Sequence, residues 1–378
     1  MRRADDVERA RLHDTFVSLC RIGSPSRHER ACADWVISEL RSLGLDVEED
    51  DVGARLGSDT GNLLTRIPGR EGRSILLCAH LDTVPLTAPI EPVLQDGGFR
   101  NANDGILGAD NKAAVAVILE LARRTMAALQ PPPIGLELLF TVCEEVSLAG
   151  SGAFDTGRLR SSLGFVFDHA SPIGEIVVAS PTHYRVVAEF HGRAAHAGVR
   201  PEEGRNAIAA AARGIAAMPL GRLDPGTAAN VGTISGGTAT NVVPERCRIE
   251  AEARSLDDRR AAALATELVD HLQDAANDAE CDLDVTLQRT FRGYRARPRA
   301  AAIVLAERAL TACGYEPKHI VTCSASDANS LQAAGLACAN LADGTERNHE
   351  PGERICVVAL DGMLGVATAL VEEAGRGI

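Results

Sequence analysis

The stretch Ile75-Leu76-Leu77-Cys78-Ala79-His80-Leu81-Asp82-Thr83-Val84-Pro85 decides how this chain is read. An apolar run of strand length ends in a histidine, and a carboxylate follows two residues later. In an extended chain residues i and i+2 point to the same face, so His80 and Asp82 emerge together at the strand's end. Imidazole is a common zinc ligand, and a carboxylate beside it is the usual group that orients it. Taken alone, a His-x-Asp at a strand end is also an ordinary turn. Its weight comes from what the rest of the chain supplies.

The same punctuation recurs. Asp110 closes Gly105-Ile106-Leu107-Gly108-Ala109 and opens an Ala/Val/Leu-rich helix expected over 112–124. By itself it reads equally well as a helix N-cap. A strand over 134–143 ends in Glu144-Glu145, two carboxylates that repel each other unless a cation lies nearby, although solvated Glu-Glu pairs are common. A strand over 164–167 ends in Asp168-His169. His349 falls in a polar loop, 343–349, between a core strand (336–341) and a closing helix (355–373). Strands alternating with helices predict an α/β domain, a mostly parallel central sheet with helices on both faces. Ligands of such sheets collect beyond the carboxyl ends of the strands, where all of these residues are expected.

The middle changes character. Strands over 183–189, 230–234, 246–253 and 282–288 and helices over 206–218 and 257–279 give the order β-α-β-β-α-β, that of a ferredoxin-like α+β module. The expected division is a catalytic domain of residues 1–181 and 291–378, with a lid or dimerisation domain inserted at 182–290. Ahead of His80, residues 5–21 have helical spacing. Ser26 and Glu29 read as a capping box for a second helix that Leu43-Gly44 stops.

Composition narrows the function. A chain of 378 residues exceeds what one core usually supports. Aromatics are 3% of it, so burial must rest on Ala, Val, Leu and Ile. A formal charge of −13 disfavours a phosphate-backbone partner, so no nucleic acid is expected. The acidic start lacks a signal-peptide core, and no apolar run is long enough to span a membrane. Ten cysteines without a C-x-x-C pair suit reduced thiols and a cytoplasmic protein.

Two histidines with carboxylates and no cysteine suit a hydrolytic pair of zinc ions better than a structural zinc site. If one carboxylate bridges, His80 and Asp168 hold one ion and Glu145 and His349 the other, with Asp110 shared. Ions roughly 3.5–4 Å apart can hold a bridging water. Asp82 is then left to orient His80. Glu144 is left to take the water's proton and pass it to the leaving nitrogen.

The segments AHLDTVP (79–85), GADNKAA (108–114), TVCEEVSLAGS (141–151), FVFDHASPIGEI (165–176) and RNHEPGERI (347–355) resemble the metal-site blocks of the dizinc aminopeptidase/aminoacylase/carboxypeptidase family, in particular its peptidase T-like branch. AAHAGVRPEEGRNAI (194–208) and NVGTISGGTATNVVPERCRIEAEARS (230–255) resemble its inserted lid. The resemblance implies His80, Asp110, Glu145, Asp168 and His349 as metal ligands, Glu144 as general acid/base and Asp82 as the aspartate behind the first histidine. It implies that His196 stabilises the oxyanion, in dimeric members across the subunit interface, and that Asn241 and Arg254 contact the substrate's carboxylate end. It further implies two Zn2+ per subunit (Co2+ or Mn2+ being possible), a homodimer formed through the lid, and cleavage of the amide bond of short peptides, with tripeptides leading. The alternative is an N-acyl-amino-acid amidohydrolase or carboxypeptidase using the same site. Asp168-His169-Ala170, the loop after His349 and a short 103–109 loop depart from tripeptidase wording, which leaves the length preference open.

Overall fold

The structure, a computed structural model, describes residues 4–377. It divides into two compact units, one of the chain up to Val178 with Ala296–Val321 and the segment from Ser326 onward, the other of Ala179–Arg295 with Thr322–Ala325. The four-residue strap is a feature that sequence periodicity gave no reason to expect.

In chain order the first part contributes strands β1 (Val47–Glu49), β2 (Leu63–Ile67), β3 (Glu71–His80), β4 (Pro92–Gln95), β5 (Gly98–Asn101), β6 (Ile134–Thr141), β7 (Leu163–Phe167) and β8 (Glu175–Ser180). The insertion contributes β9 (Thr182–His191), β10 (Gly221–Asp224), β11 (Thr227–Gly236), β12 (Arg246–Ser255) and β13 (Asp282–Phe291). The return contributes β14 (Tyr294–Arg295), β15 (Lys318–Val321), β16 (Ala337–Leu341), β17 (Thr345–Glu346) and β18 (Arg354–Cys356).

The first unit is built on a sheet ordered β1-β2-β6-β3-β7-β16-β8, with β15 beside β8. Its centre, β6-β3-β7-β16, is parallel, while β2 and β8 flank it antiparallel. These central strands are continuous apolar runs because both faces are covered. Ile75, Leu77 and Ala79 join the main core with the helices Asp6–Arg21, Ala109–Met126, Ala301–Ala312 and Val357–Gly375. Leu76 and Cys78 point the other way and are equally buried; there Cys78 Sγ meets Asp327 of the helix Asp327–Ala333. The layering is therefore the α/β arrangement expected, a mostly parallel sheet with helices on both faces. No helix among the described residues is long and apolar enough to cross a membrane.

A smaller sheet, β17-β18-β5-β4, ties the closing segment to the 92–101 hairpin. It corrects the expected start of the last helix. Arg354–Cys356 pair with β5 as a strand, and the helix begins at Val357.

The second unit is an antiparallel sheet ordered β10-β11-β12-β9-β13. The helices Ala207–Ala217 and Asp258–Asp278 bury their apolar stripes on it, with Leu264, Leu268 and Leu272 among Val186, Phe190 and Ile249. This is the ferredoxin-like topology with β10 added at one edge.

One local expectation fails. Ser26 and Glu29 do not form a capping box, since the helix Arg30–Ser42 has Glu29 itself at the N-cap position and no side-chain cap. Both side chains are engaged elsewhere by partners far along the chain.

Candidate metal centre

Four loops at the carboxyl ends of β3, β6, β7 and β16 build the site, together with the turn before Lys112. β3 lies between β6 and β7. His80, the last residue of β3, is therefore flanked by Glu144-Glu145 on one side and Asp168 on the other. The helix after Gly108 is regular only from Lys112, because Asp110 and Asn111 have non-helical backbone angles. Asp110 is thus not a cap; its carboxylate is presented to the histidines.

His80 Nε2 is 3.1 Å from Asp110 Oδ1 and 4.0 Å from Asp168 Oδ1. His349 Nε2 is 3.1 Å from Asp110 Oδ2 and 2.9 Å from Glu145 Oε1. The two imidazoles thus grip opposite oxygens of one carboxylate. Three donor groups result, His80/Asp110/Asp168, Asp110/Glu145/His349 and His80/Glu144/Glu145, each with its ligand atoms within 4.8 Å of one another, and Asp110 belongs to the first two. Asn348 Nδ2 also donates to Asp110 Oδ2, at 2.9 Å.

Asp82 is fully buried behind this cage. Its Oδ1 is 3.4 Å from His80 Nδ1 and accepts from Glu144 N at 3.0 Å; its Oδ2 accepts from Glu145 N at 3.1 Å. One carboxylate therefore holds both the first histidine and the Glu144-Glu145 backbone. The His80 ring also meets the Asp82 carbonyl oxygen at 3.0 Å.

Several supporting residues escaped the sequence. Ser26 Oγ donates to Asp82 Oδ2 at 2.7 Å, and Ser24 Oγ to Leu81 O at 2.8 Å. Glu29 Oε1 accepts from Cys143 N at 3.0 Å, just ahead of Glu144. Glu353, buried, accepts from Leu107 N and Gly108 N at 2.8 Å and from Asp110 N at 3.0 Å. Asn340 bonds Asp168 on both sides of its backbone, and Asp343 Oδ1 accepts from Thr345 N and Oγ1. A polar residue three positions before a helix looks like a cap, so only the tertiary partners reveal these roles.

The field of the cage favours cations. Burial drives the Asp168 carboxyl well above the carboxylate range, reinforced by Asp110, and does the same to Glu144, reinforced by Asp168. Burial also raises Glu145, against its bond to His349. Asp110 goes the other way, because bonds from His349 and His80 outweigh its burial and hold it low. His349 is pushed up to about 10 by Asp110 and Glu145. Asp168 Oδ2 is buried without a hydrogen-bond partner. An orphaned carboxylate oxygen costs free energy that a cation would recover. The donors are all nitrogen and oxygen, as hydrolytic divalent ions require.

The second unit splits the lid residues into two places. His196 is exposed, its Nδ1 accepting from Gly198 N at 3.2 Å. Its segment bridges to Val242, and Ala197 N donates to Asn241 O at 2.9 Å, so His196 and Asn241 lie on neighbouring segments. Arg254 sits at the far end of β12, eight residues past Arg246, a rise of about 27 Å. It is on an interior strand, forked onto Glu252 at 3.0 and 2.9 Å, and donates to Cys323 O at 3.3 Å.

Comparison with known proteins identifies the family. The model described as Peptidase family M28 matches residues 62–175, and the peptidase dimerisation domain model matches residues 182–280. The chain is 33% identical to the uncharacterised Bacillus subtilis protein YqjE over 98% of this chain and 100% of that one. It is 34% identical to the aminopeptidase PepT of Bacillus cereus, with a TM-score of 0.83 over 97% of this chain and 98% of that one. The chain belongs to the peptidase T-like branch of the M20 metallopeptidases. A Staphylococcus aureus tripeptidase, 29% identical, superposes on this metallopeptidase with a TM-score of 0.89 over 97% of this chain and 99% of the other.

Proposed function

We propose that the chain hydrolyses the amide bond of short peptides as an aminopeptidase, using two divalent ions, zinc first and cobalt or manganese as alternatives. The observation that carries this reading is Asp110, whose two oxygens are shared between His80 and His349. His80 and Asp168 would hold one ion, Glu145 and His349 the other, and Asp110 both. Bound there, the ions would polarise the scissile carbonyl and lower the pKa of a water towards neutrality.

The remaining steps belong to the side chains. Glu144, buried beside the proposed ligands, is suited to accept the water's proton and deliver it to the leaving amine. Asp82 fixes the His80 ring through Nδ1 and fixes the backbone that carries Glu144, so acid/base group and ligand stay in register. Residues 1–181 and 291–378 form the catalytic domain in this reading, and 182–290 the lid. The match to a dimerisation domain supports a homodimer, in which His196, with Asn241 beside it, serves the partner's oxyanion while Arg254 contacts substrate separately. The enzyme is placed in the cytoplasm, with no nucleic-acid or membrane partner.

The test is a metal assay with a substrate panel. Purified chain should retain two ions and cleave tripeptides faster than dipeptides and N-acyl amino acids. Turnover of N-acyl amino acids alone would transfer the site to an amidohydrolase. Mixing His196→Ala with Glu144→Gln subunits should restore activity if His196 acts across the interface.

A further inference from the structure

The loop that follows Asp168 and the loop that precedes His349 do more than carry those residues. They are laced together by Asp343 N donating to His169 O at 3.1 Å and Gly344 N to Ser171 O at 3.0 Å. Beyond this seam they wall a cavity of about 550 Å³, lined by Ser171, Pro172, Ile173, Tyr315, Val358 and Ala359. The volume lies in the range of small-ligand sites, roughly 300–1,000 Å³. Ala170, also on its wall, is two residues past Asp168, and Arg347 is two residues before His349. Two residues of chain span at most about 7 Å, so part of the cavity wall lies within that distance of both ligand positions.

Its chemistry is selective. The charged residues of its rim are already paired, Arg347 with Glu350 at 3.1 Å and Glu346 with Arg354 at 2.6 Å. The interior is therefore neutral and mainly apolar. Among the polar groups of its lining, Ser171 Oγ is buried and has no hydrogen-bond partner. An apolar occupant flanked by a peptide group would satisfy both features. Gly344 keeps the wall thin. At φ +76° it holds the seam in a left-handed turn, and a Cβ there would lie 2.5 Å from Ala359 Cβ.

We propose that this cavity is a specificity pocket that takes an uncharged, branched or aromatic side chain of the peptide substrate, with Ser171 Oγ bonding the substrate's backbone. The proposal rests on the peptidase reading and deepens it. Burying a leucine side chain is worth roughly 10- to 100-fold in affinity or kcat/KM. Val358 is 74% exposed and lines the pocket, so it can be changed without disturbing the core.

The experiment compares Leu-Gly-Gly, Gly-Leu-Gly and Gly-Gly-Leu with Gly-Gly-Gly on the metal-loaded full chain and on Val358→Trp and Val358→Asp. One leucine position should raise kcat/KM tenfold or more in the wild type. Both substitutions should bring that leucine-to-glycine ratio close to one. A ratio unchanged by both substitutions, or no leucine preference at any position, overturns the pocket. If the wild type cleaves none of the four, the peptidase reading has failed, and the pocket is judged by calorimetry with L-leucine against glycine. Leucine binding that Val358→Trp abolishes supports it; binding of neither, or of both alike, overturns it.

Discussion

Glu353 offers the sharpest test of how the site is held. Its carboxylate accepts three backbone N–H groups from the turn that delivers Asp110, two on Oε2 and one on Oε1. In Glu353→Gln the shape is kept, but the best placement of the amide oxygen serves Leu107 and Gly108 and turns the NH2 towards the N–H of Asp110. Three charge-assisted bonds, worth about 1.5–3 kcal/mol each, become two neutral bonds and a donor facing a donor. The loss should be about 2–5 kcal/mol in the stability of the first unit, read from the shift in its urea transition. Because Asp110 is shared by both proposed ion sites, loosening its backbone should weaken both ions together, by roughly 10- to 100-fold, as supporting bonds behind ligands usually do. Competition against a chromophoric zinc chelator measures this. A variant within about 0.5 kcal/mol of wild type, with unaltered zinc affinity, would refute the claim that Glu353 sets the Asp110 turn.

Other outcomes follow from the same geometry. Glu144→Gln should keep its metal and lose roughly 10²- to 10⁴-fold in kcat, checked by steady-state kinetics beside metal analysis. Ser26→Ala should remove one bond to the buried Asp82 and cost about 1–3 kcal/mol in denaturant unfolding, with both ions still bound. In the second unit, the bonds from His183 and Arg254 outweigh burial and hold Glu252 at about 2. A carboxyl lowered on folding stabilises above its unfolded pKa, so this contribution should be complete above roughly pH 4.3 and fade as pH falls towards 2. Glu252→Gln should flatten that part of the acid-unfolding profile. Chelation should lower the thermal midpoint of the first unit far more than that of the second, since among the described residues the clustered metal-type donors all lie in the first, and calorimetry can resolve the two.

Much of this arrangement could be read from residues in a row. His80, Glu144-Glu145 and Asp168 each terminate an apolar strand, and parallel packing brings neighbouring strand ends together whatever the loops do. The β-α-β-β-α-β order of the insertion was equally legible, because β9, β12 and the helix Asp258–Asp278 alternate or repeat cleanly along the chain. Asp110 was ambiguous, since a carboxylate before a helix looks the same whether it caps the helix or faces outward. Ser26, Glu29 and Glu353 were hidden for a related reason. Their partners lie 56, 114 and about 245 residues away, while local spacing made Ser26 and Glu29 mimic a capping box. Three-residue β1 left no periodic signal, and the strand Arg354–Cys356 is fixed by pairing with β5 rather than by its own residues. The separation of Asn241, which precedes β12, from Arg254, near the far end of that strand, likewise depends on tertiary structure that motif order does not encode.

The central claim is a pair of cations sharing Asp110. Anomalous diffraction at the zinc edge from zinc-loaded crystals tests it most directly. Two peaks roughly 3.5–4 Å apart are expected, one touching His80 and Asp168, the other Glu145 and His349, both in contact with Asp110. A single peak, or two peaks of which only one reaches Asp110, would contradict it.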